Sequence, residues 1–275
     1  MGEPNHARRL GVIWLTATLI TTPLVVFVLG PVLPPGHASE QASGHVTDNT
    51  VLFAAMTPVL LLVVIYLLYA VVCFRQAPGG VLEGPAIRGD ARIQTAWIVV
   101  TSAMVLSLAA YGTVRLFADG AGSGGGPSPV VVPSGPKLKV QVIAQQWAFT
   151  YRYPSYGGVE TPHLVLPLGQ MVELHVTSLD VIHSFWAYQL GVKADANPKE
   201  DNVVYVKPSR VQTFDVRCAE LCGIWHGYMF DHGQVVTPTA FTAWIHRQQA
   251  TFAPEAKSLP PYSNTYLPDP ARRAG

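Results

Sequence analysis

The stretch Lys137–Tyr153, KLKVQVIAQQWAFTYRY, decides the fold of the second half of the chain. Apolar residues alternate with Lys and Gln from Leu138 to Val142, and aromatic residues occupy every second position from Trp147 to Tyr153. Alternation with a period of two is typical of strands that turn one face to a core. The stretch therefore predicts half-buried β-strands, with the aromatic side chains continuing on one face.

Further candidate strands follow, with Pro or Gly at many of their ends: Leu164–Leu168, Val172–Val176, Val203–Val206, Val211–Val216 and Gln234–Val236. Many short strands separated by turn residues predict an all-β domain, a Greek-key β-sandwich or barrel over residues 137–250. A short helix should close it, with Pro238 in its first turn and Phe241, Trp244 and Ile245 on one face. The Pro-rich tail, residues 251–275, is expected to be an extended arm or disordered.

Three long apolar runs precede this domain: Leu10–Gly30, Val51–Phe74 and Ile93–Phe117. Each meets the requirement of about 20 apolar residues for a membrane-spanning helix. The second and third predict a transmembrane hairpin over residues 51–117. Residues 1–50 would hold a further transmembrane helix, or a signal peptide, and an outside loop. The length of the first run favours a retained helix, because the apolar core of a signal peptide usually has about 7–15 residues.

Residues 118–136, between the apolar runs and the strands, contain three consecutive glycines and several prolines. Such a composition predicts a flexible linker. A phosphate-binding loop is the alternative, but no Gly-Lys-Ser/Thr follows the glycines.

The basic residues predict the orientation in the membrane. Pro31–Thr50 contains no Lys or Arg, whereas the N-terminus and the loop 75–92 contain all of the flanking ones: Arg8, Arg9, Arg75, Arg88 and Arg92. The positive-inside rule therefore places both of those segments in the cytoplasm. We expect a multi-pass protein of the cell membrane (inner or plasma membrane), with the β-domain on the outer, periplasmic or extracellular face. A net charge of +1 and the lack of any Lys/Arg-rich run argue against a nucleic-acid partner.

The stretch Cys218–Met229, CAELCGIWHGYM, collects two thiols, an imidazole and a thioether on one loop. Thiolate and thioether favour Cu(I), and imidazole accepts either copper state, so the set suits a copper that carries one electron. The second Cys argues for two coppers, because each thiolate can bridge a pair of metals. A disulfide between Cys218 and Cys222 is the alternative, but it leaves His226 and Met229 without a role.

Two coppers would require a second imidazole, and the best candidate is His183, in DVIHSFW (180–186). It follows an alternating stretch and lies among apolar residues that would exclude water. Taken alone, His183 could equally be a core histidine, and Met229 could simply fill core space. Cys73 lies inside an apolar run and is assigned no role.

The pattern C-A-E-L-C-G-x-x-H-x-x-M, with V-I-H-S-F upstream, resembles cytochrome c oxidase subunit II, the copper A subunit of haem-copper terminal oxidases. The resemblance implies a cupredoxin-like fold and a binuclear copper centre whose two metals are bridged by both Cys. It implies these remaining ligands: His183 and Met229 for one copper, and His226 with the backbone carbonyl of Glu220 for the other. In relatives this Glu side chain also helps to hold a magnesium ion at the boundary with the catalytic subunit.

The same resemblance implies partners and a function. QWAFTYRY (146–153) resembles the aromatic segment in which the residue matching Trp147 receives an electron from cytochrome c; a packed aromatic stripe is the alternative. Lys193 and Asp195 would contact catalytic subunit I near the haems, although Lys199 and Glu200 replace the usual Gly and Arg. The resemblance implies a subunit that receives electrons from a soluble or membrane-bound cytochrome c and passes them to the catalytic subunit, which reduces oxygen. The chain would lie in membrane lipid together with the other oxidase subunits. Nitric oxide reduction, or a membrane-anchored copper-delivery protein, are the competing hypotheses.

One position departs from the resembled family. Gln94 stands where the family commonly has a Glu at the mouth of a proton channel into the catalytic subunit. An amide side chain cannot carry a proton by ionising. Either another acid, such as Asp90 or a group on a partner chain, opens the channel here, or the protons take a different route.

Overall fold

The structure, a computed structural model, describes residues 5–75, 89–118, 126–129 and 131–256, with side chains up to residue 251. Arg88, part of the predicted linker (119–125 and 130) and the tail beyond residue 256 lie outside the described residues. The chain divides into two compact units. One comprises the residues up to Leu33 with Thr47–Arg115, and the other Pro34–Val46 with the residues from Leu116 onward.

Three long helices form most of the first unit. Helix α1 spans His6–Leu24 and continues through a π-helical segment, Val25–Leu29, and a 3-10 turn, Gly30–Val32; α2 spans Glu40–Cys73 and α3 spans Ala91–Ala118. All three are long and apolar enough to cross a membrane. α1 and α3 bury none of their residues. The prediction of apolar helices of membrane-spanning length is therefore confirmed.

Helix α2 begins at Glu40, well before the apolar run that starts at Val51. The outside loop predicted up to residue 50 is therefore helical over its last part. Its start is set by a cap, because the Ser39 hydroxyl oxygen accepts a hydrogen bond from the Ala42 N–H at 2.9 Å and donates one to the Leu190 carbonyl at 2.6 Å. Capping by a serine side chain does not depend on hydrophobicity, so the apolar run alone could not locate the first residue of α2.

The second unit is a β-sandwich of two five-stranded sheets. Its strands are β1 Leu138–Gln145, β2 Ala148–Tyr153, β3 Val159–Thr161, β4 Val165–Pro167, β5 Val172–Ser178, β6 His183–Ala187, β7 Val192–Ala196, β8 Asn202–Val206, β9 Gln212–Cys218 and β10 Phe230–Val236. The strand orders are β3-β2-β1-β5-β8 and β4-β10-β9-β6-β7. The predicted fold class, membrane-spanning helices followed by a cupredoxin-like Greek-key sandwich, is confirmed.

The core lies between the two sheets and beneath the last helix. Phe149, Tyr151 and Tyr153 of β2 are buried in it, so these three belong to a packed aromatic stripe. Trp147 is not on that strand, since it lies in the turn between β1 and β2. The closing helix α4, Pro238–Ala256, buries Phe241 and Ile245 as predicted.

Strands β3, β6 and β7 were not predicted from the sequence. In β7, Val192, Ala194 and Ala196 are buried while Lys193 and Asp195 are exposed. The alternation of this stretch has the period of a strand. Lys193 and Asp195 therefore project from a strand.

Candidate metal centre

The loop that carries the candidate ligands joins two paired strands. Cys218 ends β9, and its N–H donates to the Met229 carbonyl at 3.0 Å, just before β10 begins at Phe230. On its other side, Cys218 is paired with Phe185 of β6, two residues after His183. Because the sheet holds both ends of the loop and the neighbouring strand, the candidate side chains are positioned by backbone pairing.

The sulfur and imidazole atoms of these residues converge. Cys218 Sγ lies 3.7 Å from Cys222 Sγ and 3.8 Å from His183 Nδ1. Cys222 Sγ lies 3.5 Å from His226 Nδ1 and 3.9 Å from Met229 Sδ. The structure thus brings together every side chain that the sequence proposed as a copper ligand.

These separations suit shared coordination of a metal. Two ligand atoms about 2.0–2.3 Å from one metal, at a tetrahedral angle, lie roughly 3.3–3.8 Å apart. Both cysteines are free thiols, and within the described residues His183, Cys218 and Cys222 form the one group of His, Cys and acidic side chains close enough to hold a metal. The carbonyl oxygen of Glu220 lies 3.2 Å from Cys218 Sγ, so a backbone ligand is also within reach. The donor set therefore fits soft-metal coordination.

A carboxylate fixes the orientation of His183, which is fully buried at the start of β6. Asp180 Oδ1 accepts from His183 Nε2 at 2.9 Å, and Asp180 Oδ2 accepts from the Gln146 N–H at 2.8 Å. This places the proton on Nε2 and leaves the Nδ1 lone pair directed at Cys218. Outer carboxylates orient metal-binding histidines in this way. Burial acts to raise the pKa of the Asp180 carboxyl, but the hydrogen bonds from Gln146, His183 and Val181 outweigh it and lower that pKa.

The metal-free site disfavours the thiolate form of Cys222. Burial, followed by the neighbouring Cys218 thiol, raises the pKa of Cys222 to about 12. Thiolates are the form that binds metals, so metal binding must displace protons from this site.

Trp147 contacts the same loop directly. Its indole N–H donates to the Cys222 carbonyl at 3.2 Å, and Gln146 Nε2 donates to that oxygen at 2.8 Å. The approach depends on Gly223, which has a φ of +119° and where an added Cβ would lie 2.9 Å from Gln146 Nε2 and 3.2 Å from Trp147 Cζ2. A half-buried indole is therefore in hydrogen-bond contact with the backbone of a candidate ligand.

Apolar side chains surround the opening of the site. The most exposed members of this apolar rim are Leu221, Ile224, Trp225, Tyr228 and Phe230. The Glu220 side chain is also exposed, and His226 is half-buried. The remaining ligand side chains lie beneath, with Met229 only 1% exposed. The site is thus shielded from water yet close to a surface with the composition of a contact surface.

Sequence reasoning missed three residues of this site: Gln146, Asp180 and Gly223. A signal existed for two of them. Asp180 stands three residues before His183, and Gly223 directly follows Cys222. Gln146 has no comparable signal, because its contact with Cys222 spans 76 positions of sequence.

The chain is similar in sequence to known proteins. The family profile described as "Cytochrome C oxidase subunit II, periplasmic domain" matches residues 160–235. Cytochrome c oxidase subunit 2 of Thermostichus vulcanus is 35% identical over 227 residues, which cover 81% of this chain and 68% of that protein. The subunit 2 of Synechocystis sp. is 27% identical over 249 residues, which cover 78% of this chain and 75% of that protein.

Among solved structures, the periplasmic domain of subunit II of cytochrome oxidase from Bradyrhizobium japonicum is similar. It shares 29% sequence identity, covers 44% of this chain and 99% of its own, and superposes with a TM-score of 0.42.

Proposed function

The chain belongs to the cytochrome c oxidase subunit II family, and on that premise we propose that it accepts electrons from cytochrome c at a binuclear copper A centre. It would pass them to haem in the catalytic subunit of a respiratory haem-copper oxidase, which reduces oxygen. The observation that carries the proposal is the convergence of two thiols, two imidazoles and a thioether within 3.5–3.9 Å of their neighbours.

Each candidate ligand has an assigned place. Cys218 and Cys222 would bridge the two coppers. The other ligands would be His183 and Met229 for one metal, and His226 with the Glu220 carbonyl for the other. When bound, the copper pair supplies reversible one-electron chemistry that soft sulfur ligands stabilise.

The surrounding residues would keep the site rigid and dry. Asp180 holds the His183 ring in one tautomer through a 2.9 Å contact. Strand pairing fixes Cys218 at the end of β9, so few atoms need to move when the charge changes. Met229 and Cys222, both buried, exclude water from the sulfur ligands.

Trp147 is proposed as the residue that receives the electron from cytochrome c. Its hydrogen bond to the Cys222 carbonyl supports this role, because it couples a half-buried aromatic ring to a ligand through one contact. The apolar rim beside it offers a surface on which a soluble or membrane-bound cytochrome c could dock.

The remaining assignments concern the assembly. The exposed Glu220 side chain would help to hold a magnesium ion shared with catalytic subunit I. The three apolar helices would anchor the chain in the cell membrane, with the copper domain on the outer face as the arginine distribution predicts.

Replacing either bridging cysteine tests the copper assignment. We expect Cys218→Ser or Cys222→Ser in the purified complex to abolish the delocalised mixed-valence EPR signal, because each thiolate is shared by both metals. Cys73→Ser is the matched control, since Cys73 is an exposed free thiol on α2, and it should leave the signal unchanged.

A single-copper EPR spectrum from the unmodified protein would contradict the binuclear assignment. Measuring oxygen against nitric oxide uptake by the same preparation tests the terminal reaction. Nitric oxide uptake that is faster than oxygen uptake, with the copper signal intact, would indicate that the chain is a subunit of a nitric oxide reductase.

A further inference from the structure

A crevice of about 540 Å³ lies between the start of α1 and the end of α2, within the first unit. Arg8 and Arg9 line it together with Val12, Ile13, Tyr69 and Cys73. The metal centre makes no use of it, since all of these residues belong to the helices. Its lining combines two permanent cations with apolar side chains.

Within the part of the chain that the structure describes, no carboxylate neutralises the two arginines. Both are exposed, and the first turn of α1 contains no acidic residue. Guanidinium groups bind phosphate oxygens through paired N–H donors. The crevice therefore presents an anion-binding surface.

The rest of the crevice favours a lipid over a free anion. Val12 and Ile13 on α1 and Cys73 on α2 offer apolar surface below the arginines, and both helices have the length and composition of membrane spans. Tyr69 provides a hydroxyl that contacts His6 Nδ1 at 2.7 Å. A free phosphate gains nothing from apolar walls, whereas a phospholipid can place its phosphate on the arginines and its acyl chains along Val12 and Ile13.

The proposal requires that α1 stays attached to the chain, and two contacts join the α1 segment to α2. Trp14 Nε1 donates to the Pro58 carbonyl of α2 at 2.8 Å. Near the other end, Gly30 is buried where an added Cβ would lie 2.9 Å from Thr50 Oγ1.

We propose that this crevice binds the headgroup of an anionic phospholipid at the cytoplasmic surface of the membrane. Basic pockets between transmembrane helices on this side recognise such headgroups. The positive charge of Arg8 and Arg9 selects a net negative lipid such as phosphatidylglycerol over the neutral phosphatidylcholine.

Photo-crosslinking in nanodiscs tests the site on the intact complex. Photoreactive phosphatidylglycerol and phosphatidylcholine are compared, and labelled peptides from α1 and the end of α2 are quantified by mass spectrometry. We expect phosphatidylglycerol to label these peptides about tenfold more than phosphatidylcholine. Arg8→Gln/Arg9→Gln should lower that labelling by about tenfold or more, since each basic residue near an anionic surface contributes roughly fivefold.

Two further variants separate a built site from bulk electrostatics. Arg75→Gln/Arg92→Gln removes the same charge from the same membrane face without touching the crevice, and labelling should change by less than twofold. Ile13→Trp retains every charge but fills the crevice, and labelling should fall at least fivefold. Equal labelling by both lipids, equal loss in both arginine variants, undiminished labelling in Ile13→Trp, or an intact mass that shows α1 removed would each overturn the proposal.

Discussion

The β-sandwich buries its large apolar side chains, whereas the long helices expose theirs. In the sandwich, Tyr151, Tyr153, Phe185 and Phe214 are fully buried, whereas α1 and α3 bury none of their residues. The sandwich is held by contacts within the chain itself. The helices have the length and composition of membrane spans, and such helices usually bury their apolar side chains in lipid or against other helices. Substitutions in the sandwich should therefore have large effects within this chain, and substitutions on the helices small ones unless a partner is involved.

The largest effect is expected at Gly191, which sits in the sandwich at a φ of +65°. An added Cβ in Gly191→Ala would lie 2.7 Å from Ala42 Cα, so backbone must shift. Left-handed strain of about 1–2 kcal/mol and overpacking of about 1–3 kcal/mol should together lower the free energy of unfolding by about 2–5 kcal/mol. The loss of stability is measured as the fall in the temperature at which the purified protein loses its copper absorbance.

Gly157→Ala is the control for that substitution. Gly157 has a φ of +73° with nothing within 4 Å of an added Cβ, so only the backbone strain remains. If both variants lose the same stability, the segment around Ala42 does not pack on the sandwich as described.

The next effect is expected at Trp147, at the surface of the sandwich. Trp147→Phe removes the indole N–H that donates to the Cys222 carbonyl and leaves the ligands in place. We expect the rate of cytochrome c oxidation to fall at least tenfold, equivalent to about 1.4 kcal/mol on the barrier, with the copper spectrum unchanged. Stopped-flow kinetics on the purified complex measures the rate.

Trp244→Phe serves as the control, because this tryptophan packs against the core from α4. Its substitution should leave cytochrome c oxidation at the parental rate. A parental rate in Trp147→Phe itself would mean that electrons are accepted elsewhere and that the indole is only a packing group.

A smaller effect is expected at Met229, although it is buried. Met229→Leu conserves volume, so it should cost under about 1.5 kcal/mol of stability. A weak thioether ligand mainly tunes the reduction potential, so both coppers should remain while the potential shifts. Copper analysis with a potentiometric titration checks this. Met56→Leu on α2, where the side chain is 59% exposed, should change neither quantity, and loss of all copper in Met229→Leu would contradict the ligand assignment.

Local patterns in the sequence predicted the features that depend on residues close together in the chain. The spacing of Cys218, Cys222, His226 and Met229 is local, so the loop could be interpreted without a structure. The alternation of apolar and polar residues likewise located β1 and β5. By contrast, the Gln146 N–H meets the Asp180 carboxylate across 34 positions of sequence. Such a contact exists only after the sheets have paired, so the support of His183 could not be predicted.

The same reasoning applies to the membrane helices. The apolar runs predicted three helices of spanning length, because hydrophobicity over about 20 residues is a local property. The start of α2 could not be located in this way, because Ser39 caps it while bonded to Leu190, 151 positions away.

The smallest effect is expected at Gln94, on the helical side of the comparison. Gln94 is exposed near the start of α3, and its amide cannot ionise, so it cannot serve as a proton donor. Gln94→Ala should therefore keep steady-state turnover within about twofold, under 0.5 kcal/mol on the barrier. Asp90, whose carboxylate accepts from the Arg92 N–H at 2.8 Å, is the acidic group that the described residues place at this end of the helix. Asp90→Asn preserves the cap but removes the charge, and reduced oxygen uptake in that variant alone would identify the acid that replaces the family's Glu. A tenfold loss of steady-state turnover in Gln94→Ala, with intact copper, would contradict this prediction. It would show that a partner chain contacts this position of α3, so that an exposed helix residue has a large effect through the partner.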